Sequence, residues 1–146
     1  MGTVSEILKQ KTGSPLRCTR PDETVLAATQ RMNEHGIGAL LVMEQDRLVG
    51  IFTERDVLRR VVAVELAPAS VLVADAMTKD VACCTPETTI DDARRIFSQY
   101  RIRHLPVVNA QGEMQGLISI GDLNAYHANN QEVTIHYMHE YLLGRV

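Results

Sequence analysis

Two short stretches carry residue types that can hold a sugar and an anion together. Gly50-Ile51-Phe52-Thr53-Glu54-Arg55-Asp56 and Gly116-Leu117-Ile118-Ser119-Ile120-Gly121-Asp122 share one pattern: glycine, two aliphatic or aromatic residues, a hydroxyl, two variable residues and an aspartate. Each reads as an apolar strand that turns into a helix, with hydroxyl and carboxylate three residues apart at the helix N-terminus. Free backbone N–H groups and the helix dipole attract anions there. A carboxylate can also accept bonds from both hydroxyls of a ribose, as the acidic residue of a dinucleotide fold does. A ligand with a sugar at one end and phosphate at the other suits such a corner. Thr53-x-x-Asp56 and Ser119-x-x-Asp122 are also capping boxes, with Asp in place of the usual Glu, and these start a helix with no ligand present. For either copy alone the cap is the preferred reading. The choice turns on whether the surroundings repeat.

The elements that would position these corners follow one order twice. In the first half, a short apolar stripe at Val4, Ile7 and Leu8 predicts a helix over 4–11 with Thr3 as cap, and 16–19 reads as a brief strand. Thr24 caps a helix with Val25, Ala28, Met32 and His35 on one face, stopped by Gly36. The apolar run 39–43 is a strand buried on both faces, 44–47 a hairpin turn, 48–53 a strand, and 54–64 a helix. In the second half, 73–77 is a short helix, 81–84 a short strand, and Thr89 caps a helix with Ile90, Ala93, Ile96 and Phe97 inward. Strands at 104–108 and 114–119 and a helix from Ile120 complete it. At an offset of 65, Pro21, Thr24, Ala28, Ile37, Leu40 and Val42 meet Pro86, Thr89, Ala93, Ile102, Leu105 and Val107. The offset becomes 66 after one extra residue in the second hairpin turn, where a structural repeat tolerates insertion. The second half is the first half again.

A chain of 146 residues has the size of one domain, or of two small halves sharing a core. With no Trp, two Phe and four Tyr, that core must be aliphatic. A net charge of −3 argues against a general nucleic-acid binder, which needs a basic face. Three cysteines, two of them adjacent at Cys83-Cys84, make no disulfide framework and predict buried reduced thiols. No apolar run approaches a membrane span, and no signal-peptide pattern opens the sequence, so the expectation is a soluble cytoplasmic protein.

The repeated order, the T-P turn before a long helix, Arg103-His104-Leu105-Pro106-Val107-Val108 and the two hydroxyl-x-x-Asp turns resemble cystathionine-β-synthase (CBS) domains. The two copies together resemble a tandem pair, or Bateman module, of the stand-alone bacterial type. The resemblance implies an α/β fold of two β-α-β-β-α repeats packed with pseudo-twofold symmetry, and a homodimer. Its boundaries would be repeats at 4–64 and 73–128, a linker at 65–72 and a tail at 129–146. It also implies that clefts between the repeats bind an adenosine-containing ligand such as AMP, ADP, ATP or NAD. One cleft would combine Ser119 and Asp122 with a base wall of Ile37, Gly38 and Ala39. The other would combine Thr53 and Asp56 with Ile102, Arg103 and His104. Arg20, Thr85 and Leu117 would add to the base walls, and Arg55 is either a further phosphate ligand or an ordinary exposed first-turn residue. Gly38 and Ala39 are small enough to admit a flat base to the backbone. Arg103 and His104 offer charge-assisted bonds to phosphate or stand as solvated charges at a strand start, and the repeat context favours phosphate. The neutral wall is expected to make the Asp122 cleft the tighter one for adenosine, with Arg103 and His104 reaching its phosphates.

The remaining candidates are weaker. His136, His139 and Glu140 fit neither HExxH nor HxxEH, and a solvated face is the simpler account, so no metal is expected. Val133, Tyr137 and Tyr141 form a stripe that needs a partner surface, on this module or a dimer mate. The leading functional expectation is a regulatory module, not an enzyme, that reports adenylate or NAD status to an unidentified partner. The alternative is a structural or interaction dimer with degenerate clefts. An enzyme acting on nucleotides ranks lowest, because no catalytic base or nucleophile is evident.

Overall fold

The computed structural model describes residues 2–13 and 15–129. The tail stripe at Val133, Tyr137 and Tyr141 and the His136, His139 and Glu140 group lie outside the described residues. Helix α1 (Val4–Gln10) precedes strand β1 (Cys18–Thr19), helix α2 (Val25–His35), strands β2 (Ala39–Glu44) and β3 (Arg47–Thr53) and helix α3 (Glu54–Val57). A short helix α4 (Val73–Ala76) then leads to α5 (Ile90–Tyr100), β4 (His104–Val108), β5 (Met114–Ser119) and α6 (Ile120–Ala128). Thr24 and Thr89 cap α2 and α5 by accepting the N–H of Ala27 and Asp92. The α2 face buries Val25, Ala28 and Met32, whereas His35 is exposed beyond the end of that face. In α5, Ile90, Ala93 and Phe97 are buried and Ile96 packs against them.

The two hairpins are built alike. β2 and β3 pair antiparallel with Ala39 opposite Thr53, and β4 and β5 with His104 opposite Ser119. Each ladder shifts register at the corresponding place, between Val42 and Met43 and between Val107 and Val108. Gln45 and Asp46, at φ 52° and 63°, form the tight first turn, a conformation whose twist matches the flanking strands.

Three expected elements differ. The strand over 81–84 is reduced to one parallel bridge from Cys84 to Val107, whereas β1 pairs two residues with Leu41 and Val42. Leu41 donates its N–H to the Arg17 carbonyl at 3.0 Å, and the position 65 residues on is Pro106, which has no N–H to give. The helix over 54–64 is α-helical only to Val57, and its next turn, Leu58–Val62, is a π-helix closed by Ala63 N–H donating to the Leu58 carbonyl. Of the three cysteines only Cys84 is buried; Cys18 is half-buried and Cys83 exposed. Burial and the neighbouring Cys83 push the Cys84 thiol up to about 12, so it is an inert core group rather than a thiolate.

Packing crosses the sequence repeats. One core joins Val4 and Ile7 of α1 to Phe97, Leu105, Val107 and Ile118 of the second half. The other joins Val73, Ala76 and Met77 of the α4 segment to Val25, Leu40, Val42 and Phe52 of the first half. A glycine in each second hairpin strand permits the crossing. A Cβ on Gly116 would meet Leu8 Cδ2 at 2.6 Å, and one on Gly50 would meet Met77 Sδ at 2.6 Å. Each leading helix therefore completes the core of the other half.

Candidate functional site

Both hydroxyl-x-x-Asp corners form complete capping boxes. Thr53 Oγ1 accepts the N–H of Asp56 at 3.2 Å, and Asp56 Oδ2 accepts the N–H of Thr53 at 3.0 Å. Ser119 Oγ accepts the N–H of Asp122 at 3.1 Å, and Asp122 Oδ2 accepts the N–H of Ser119 at 2.8 Å. The first N–H of each helix is taken across the hairpin, Glu54 donating to the Gly38 carbonyl and Ile120 to the Arg103 carbonyl. The boxes are closed by the chain's own groups, as the spacing alone predicts.

The two carboxylates are satisfied differently. Asp56, 6% exposed, also accepts the Thr78 hydroxyl on Oδ1 at 3.0 Å, with Arg60 Nε at 3.9 Å. Asp122 is paired instead with the Lys11 ammonium at 2.8 Å, and Lys11 donates as well to the Leu117 carbonyl at 2.8 Å. Lys11 is the residue that ends α1, so its placement follows from the docking of that helix on the second half.

A cavity of about 690 Å³ opens beside the second corner, lined by Ile37, Gly38, Ala39, Leu117 and Ser119 together with Lys11 and Arg17. A second, of about 550 Å³, opens beside the first corner and is lined by Thr53, Arg55, Asp56, Ile102, Arg103 and His104. An open groove containing Glu54, Arg103 and Ser119 lies between the corners. Gly38 and His104 line all three spaces. A Cβ on Gly38 would meet the Glu54 carboxylate at 3.3 Å, so glycine here keeps the junction open. Burial lowers the His104 pKa, opposed by the Glu54 and Asp122 carboxylates and reinforced by Lys11 and Arg103. His104 is thus a neutral imidazole near pH 7, able to donate from one nitrogen and accept at the other.

A protein-family model described as the CBS domain matches residues 4–63 and 73–128. The chain belongs to the CBS-domain family. It is 36% identical over 151 residues to the CBS domain-containing protein CBSX3, mitochondrial, of Arabidopsis thaliana, covering 97% of this chain and 72% of that one. A CBS-domain protein from Burkholderia ambifaria MC40-6 superposes with a TM-score of 0.84 at 39% identity, over 88% of this chain and 96% of that chain. CBSX2, solved in complex with AMP, shares the fold at a TM-score of 0.73 and 23% identity, over 90% and 99% of the two chains. The α/β tandem CBS architecture expected from the two repeats is the one present.

Within this CBS pair, the residues expected at the Asp56 cleft, Thr53, Arg55, Asp56, Ile102, Arg103 and His104, come together around one cavity. Arg55 also donates to the Arg101 carbonyl at 2.8 Å, tying the two halves across that cleft. At the other corner Ile37, Gly38, Ala39, Leu117, Ser119 and His104 share a cavity, but the Asp122 carboxylate is not on its wall. It turns back to cap α6, and Lys11 stands in front of it. Arg103 lines the Asp56 cavity and the groove it shares with Ser119 and Gly121 of the other corner, and it does not line the 690 Å³ cavity. Arg20 and Thr85 line none of the three spaces. Arg20 is exposed and pairs with Asp22, while Thr85 N–H donates to the Thr88 hydroxyl in the turn before α5. Arg17, three residues before Arg20, lines the larger cavity in its place. Sequence reasoning missed Lys11, Arg17, Arg59 and Thr78. The only signal for Lys11 was its place at the end of the predicted helix over 4–11, which says nothing of a partner 111 residues away.

Proposed function

We infer that this CBS pair is a regulatory adenine-nucleotide-binding module without catalytic activity, which signals occupancy to a partner protein. The observation that supports it most is the meeting of both repeats at each cavity: Thr53 and Asp56 face Ile102, Arg103 and His104 at one, and Ser119 faces Ile37, Gly38 and Ala39 at the other. A small neutral strip at Gly38 and Ala39 suits a base, and Lys11, Arg17, Arg55, Arg59 and Arg103 around the two cavities suit phosphate. CBSX2, which shares the fold, is solved in complex with AMP, and this reading extends that ligand to the class of AMP, ADP, ATP or NAD. Binding would bias the module only insofar as the ligand prefers one arrangement of the two halves. A homodimer and cytoplasmic residence belong to this reading, with a mitochondrial relative as the competing location. Among the described residues no helix is long and apolar enough to cross a membrane.

A second reading is an interaction module in which the corners serve as caps alone. The engagement of both carboxylates by protein donors favours it. Calorimetric titration with AMP, ADP, ATP and NAD separates the two. The regulatory reading expects saturable binding of at least one adenine nucleotide without turnover. Absence of heat for all four leaves the interaction module.

A further inference from the structure

The two cavities differ in charge in a way that their shared corner motif does not predict. The 690 Å³ cavity has Lys11 and Arg17 on its wall and, among the described residues, no carboxylate. The 550 Å³ cavity mixes Arg55, Arg59 and Arg103 with Glu54 and Asp56. The aspartates also differ in what neutralises them. Asp56 takes the Thr78 hydroxyl at 3.0 Å with the Arg60 guanidinium at 3.9 Å, whereas an ammonium on the cavity wall bonds Asp122 at 2.8 Å. Lys11 has three N–H donors and gives two of them to Asp122 Oδ2 and the Leu117 carbonyl. Among the described residues one donor is left over, on a side chain 35% exposed. The position is held by packing rather than by chance contact. Ile7 is 1% exposed in the second core, and Leu8 lies against the backbone at Gly116.

We propose that Lys11 is a specificity-determining residue of the larger cavity, one that makes this site select phosphorylated nucleosides over the bare nucleoside. The proposal rests on the nucleotide reading above. Lys11 acts in two directions. Its ion pair helps hold Asp122 Oδ2 turned back from the cavity wall, so a ligand bringing only a sugar and base finds no carboxylate there. A ligand that also brings a phosphate receives the free N–H, and the ammonium then bridges phosphate and carboxylate, leaving neither charge unpaired. The cavity thus responds to phosphate through a residue of α1, a helix that heads the first repeat and is docked on the second.

The test is a nitrogen-15 NMR titration of the full chain with AMP and with adenosine. It reads the amides of Gln115 and Leu117, which line only the larger cavity, and that of Leu58, which lines only the smaller. Wild type is expected to bind AMP more tightly than adenosine at Gln115 and Leu117. Lys11→Met should lower AMP affinity there by about tenfold, the scale of one charge-assisted hydrogen bond. Adenosine affinity should be unchanged or raised, and Lys11→Arg should keep most of the preference for AMP. Equal losses of AMP and adenosine in Lys11→Met would overturn the proposal and leave the nucleotide reading standing, since Lys11 would then only shape the cavity. If neither ligand moves those amides in wild type, the nucleotide reading of this cavity falls, and the proposal with it. A measurement free of substitution is pyrophosphate titrated into wild type, which should shift the Lys11 amide; no shift at saturating pyrophosphate would equally overturn it.

Discussion

Asp56 and Asp122 occupy equivalent positions, yet one is a buried structural acceptor and the other a half-exposed ion-pair partner. Removing the Asp56 carboxylate strands the Thr53 N–H and the Thr78 hydroxyl, both partly buried beside the smaller cavity. An orphaned buried donor costs about 1–3 kcal/mol, so Asp56→Ala should lose at least that much stability. Asp122→Ala removes a cap of the ordinary kind, about 0.5–2 kcal/mol, and frees Lys11 to solvent. Urea unfolding of the two variants should therefore rank Asp56→Ala as the less stable. Under the nucleotide reading Asp122→Ala also removes the carboxylate that orients the Lys11 ammonium, which should weaken AMP at the larger cavity by no more than the roughly tenfold expected of Lys11→Met. Equal stabilities with unchanged AMP affinity would mean that neither carboxylate does what its surroundings indicate.

The helices and hairpins differ between halves at a few positions where backbone chemistry decides the outcome. Gly36 ends α2 in the left-handed conformation at φ 62°, which glycine adopts without strain, and the equivalent end of α5 is Arg101 at φ 55°. A non-glycine residue there costs about 1–2 kcal/mol, partly offset by the greater unfolded-state freedom of glycine. Arg101→Gly should accordingly stabilise the protein by about 0.5–1 kcal/mol. The Arg55 contact survives, because Arg101 contributes only its carbonyl. A lower thermal midpoint for Arg101→Gly would show instead that the Arg101 side chain earns its place in the second half. Caps, hairpins and the long helices were legible in the sequence because their signals are local: Thr24, Thr89, Gly36 and the apolar runs act within a few residues of themselves. The failed third strand was visible in principle, since Pro106 stands where the first half has Leu41. The π-helical turn at Leu58–Val62 had no such mark. In the site, the corners came from spacing and the Gly38 strip from the family resemblance, whereas Lys11, Arg17 and Thr78 came from tertiary docking, which no local pattern encodes.

At the scale of the whole molecule, the repeats in the sequence are not the units that pack. Val4 and Ile7 head the first repeat but sit in the second core, and Val73 heads the second repeat but sits in the first. Cutting the chain at the sequence boundary would strip each half of a helix that fills its core, so the module gains its stability as a pair. The same crossing carries Lys11 to the Asp122 cleft, so a change in α1 is read by the opposite half. Truncating Ile7 to alanine deletes a side chain 1% exposed, a change that costs about 2–5 kcal/mol in a packed core. Hydrogen exchange shows where the loss is felt. Ile7→Ala should speed exchange in β4 and β5, far along the sequence, and spare β2 and β3 beside it. Val73→Ala should do the reverse, loosening β2 and β3 while β4 and β5 stay protected. If Ile7→Ala instead loosened β2 and β3, each leading helix would belong to its own repeat. If both substitutions loosened all four strands alike, the halves would unfold as one cooperative unit and the crossing would have no separate energetic signature.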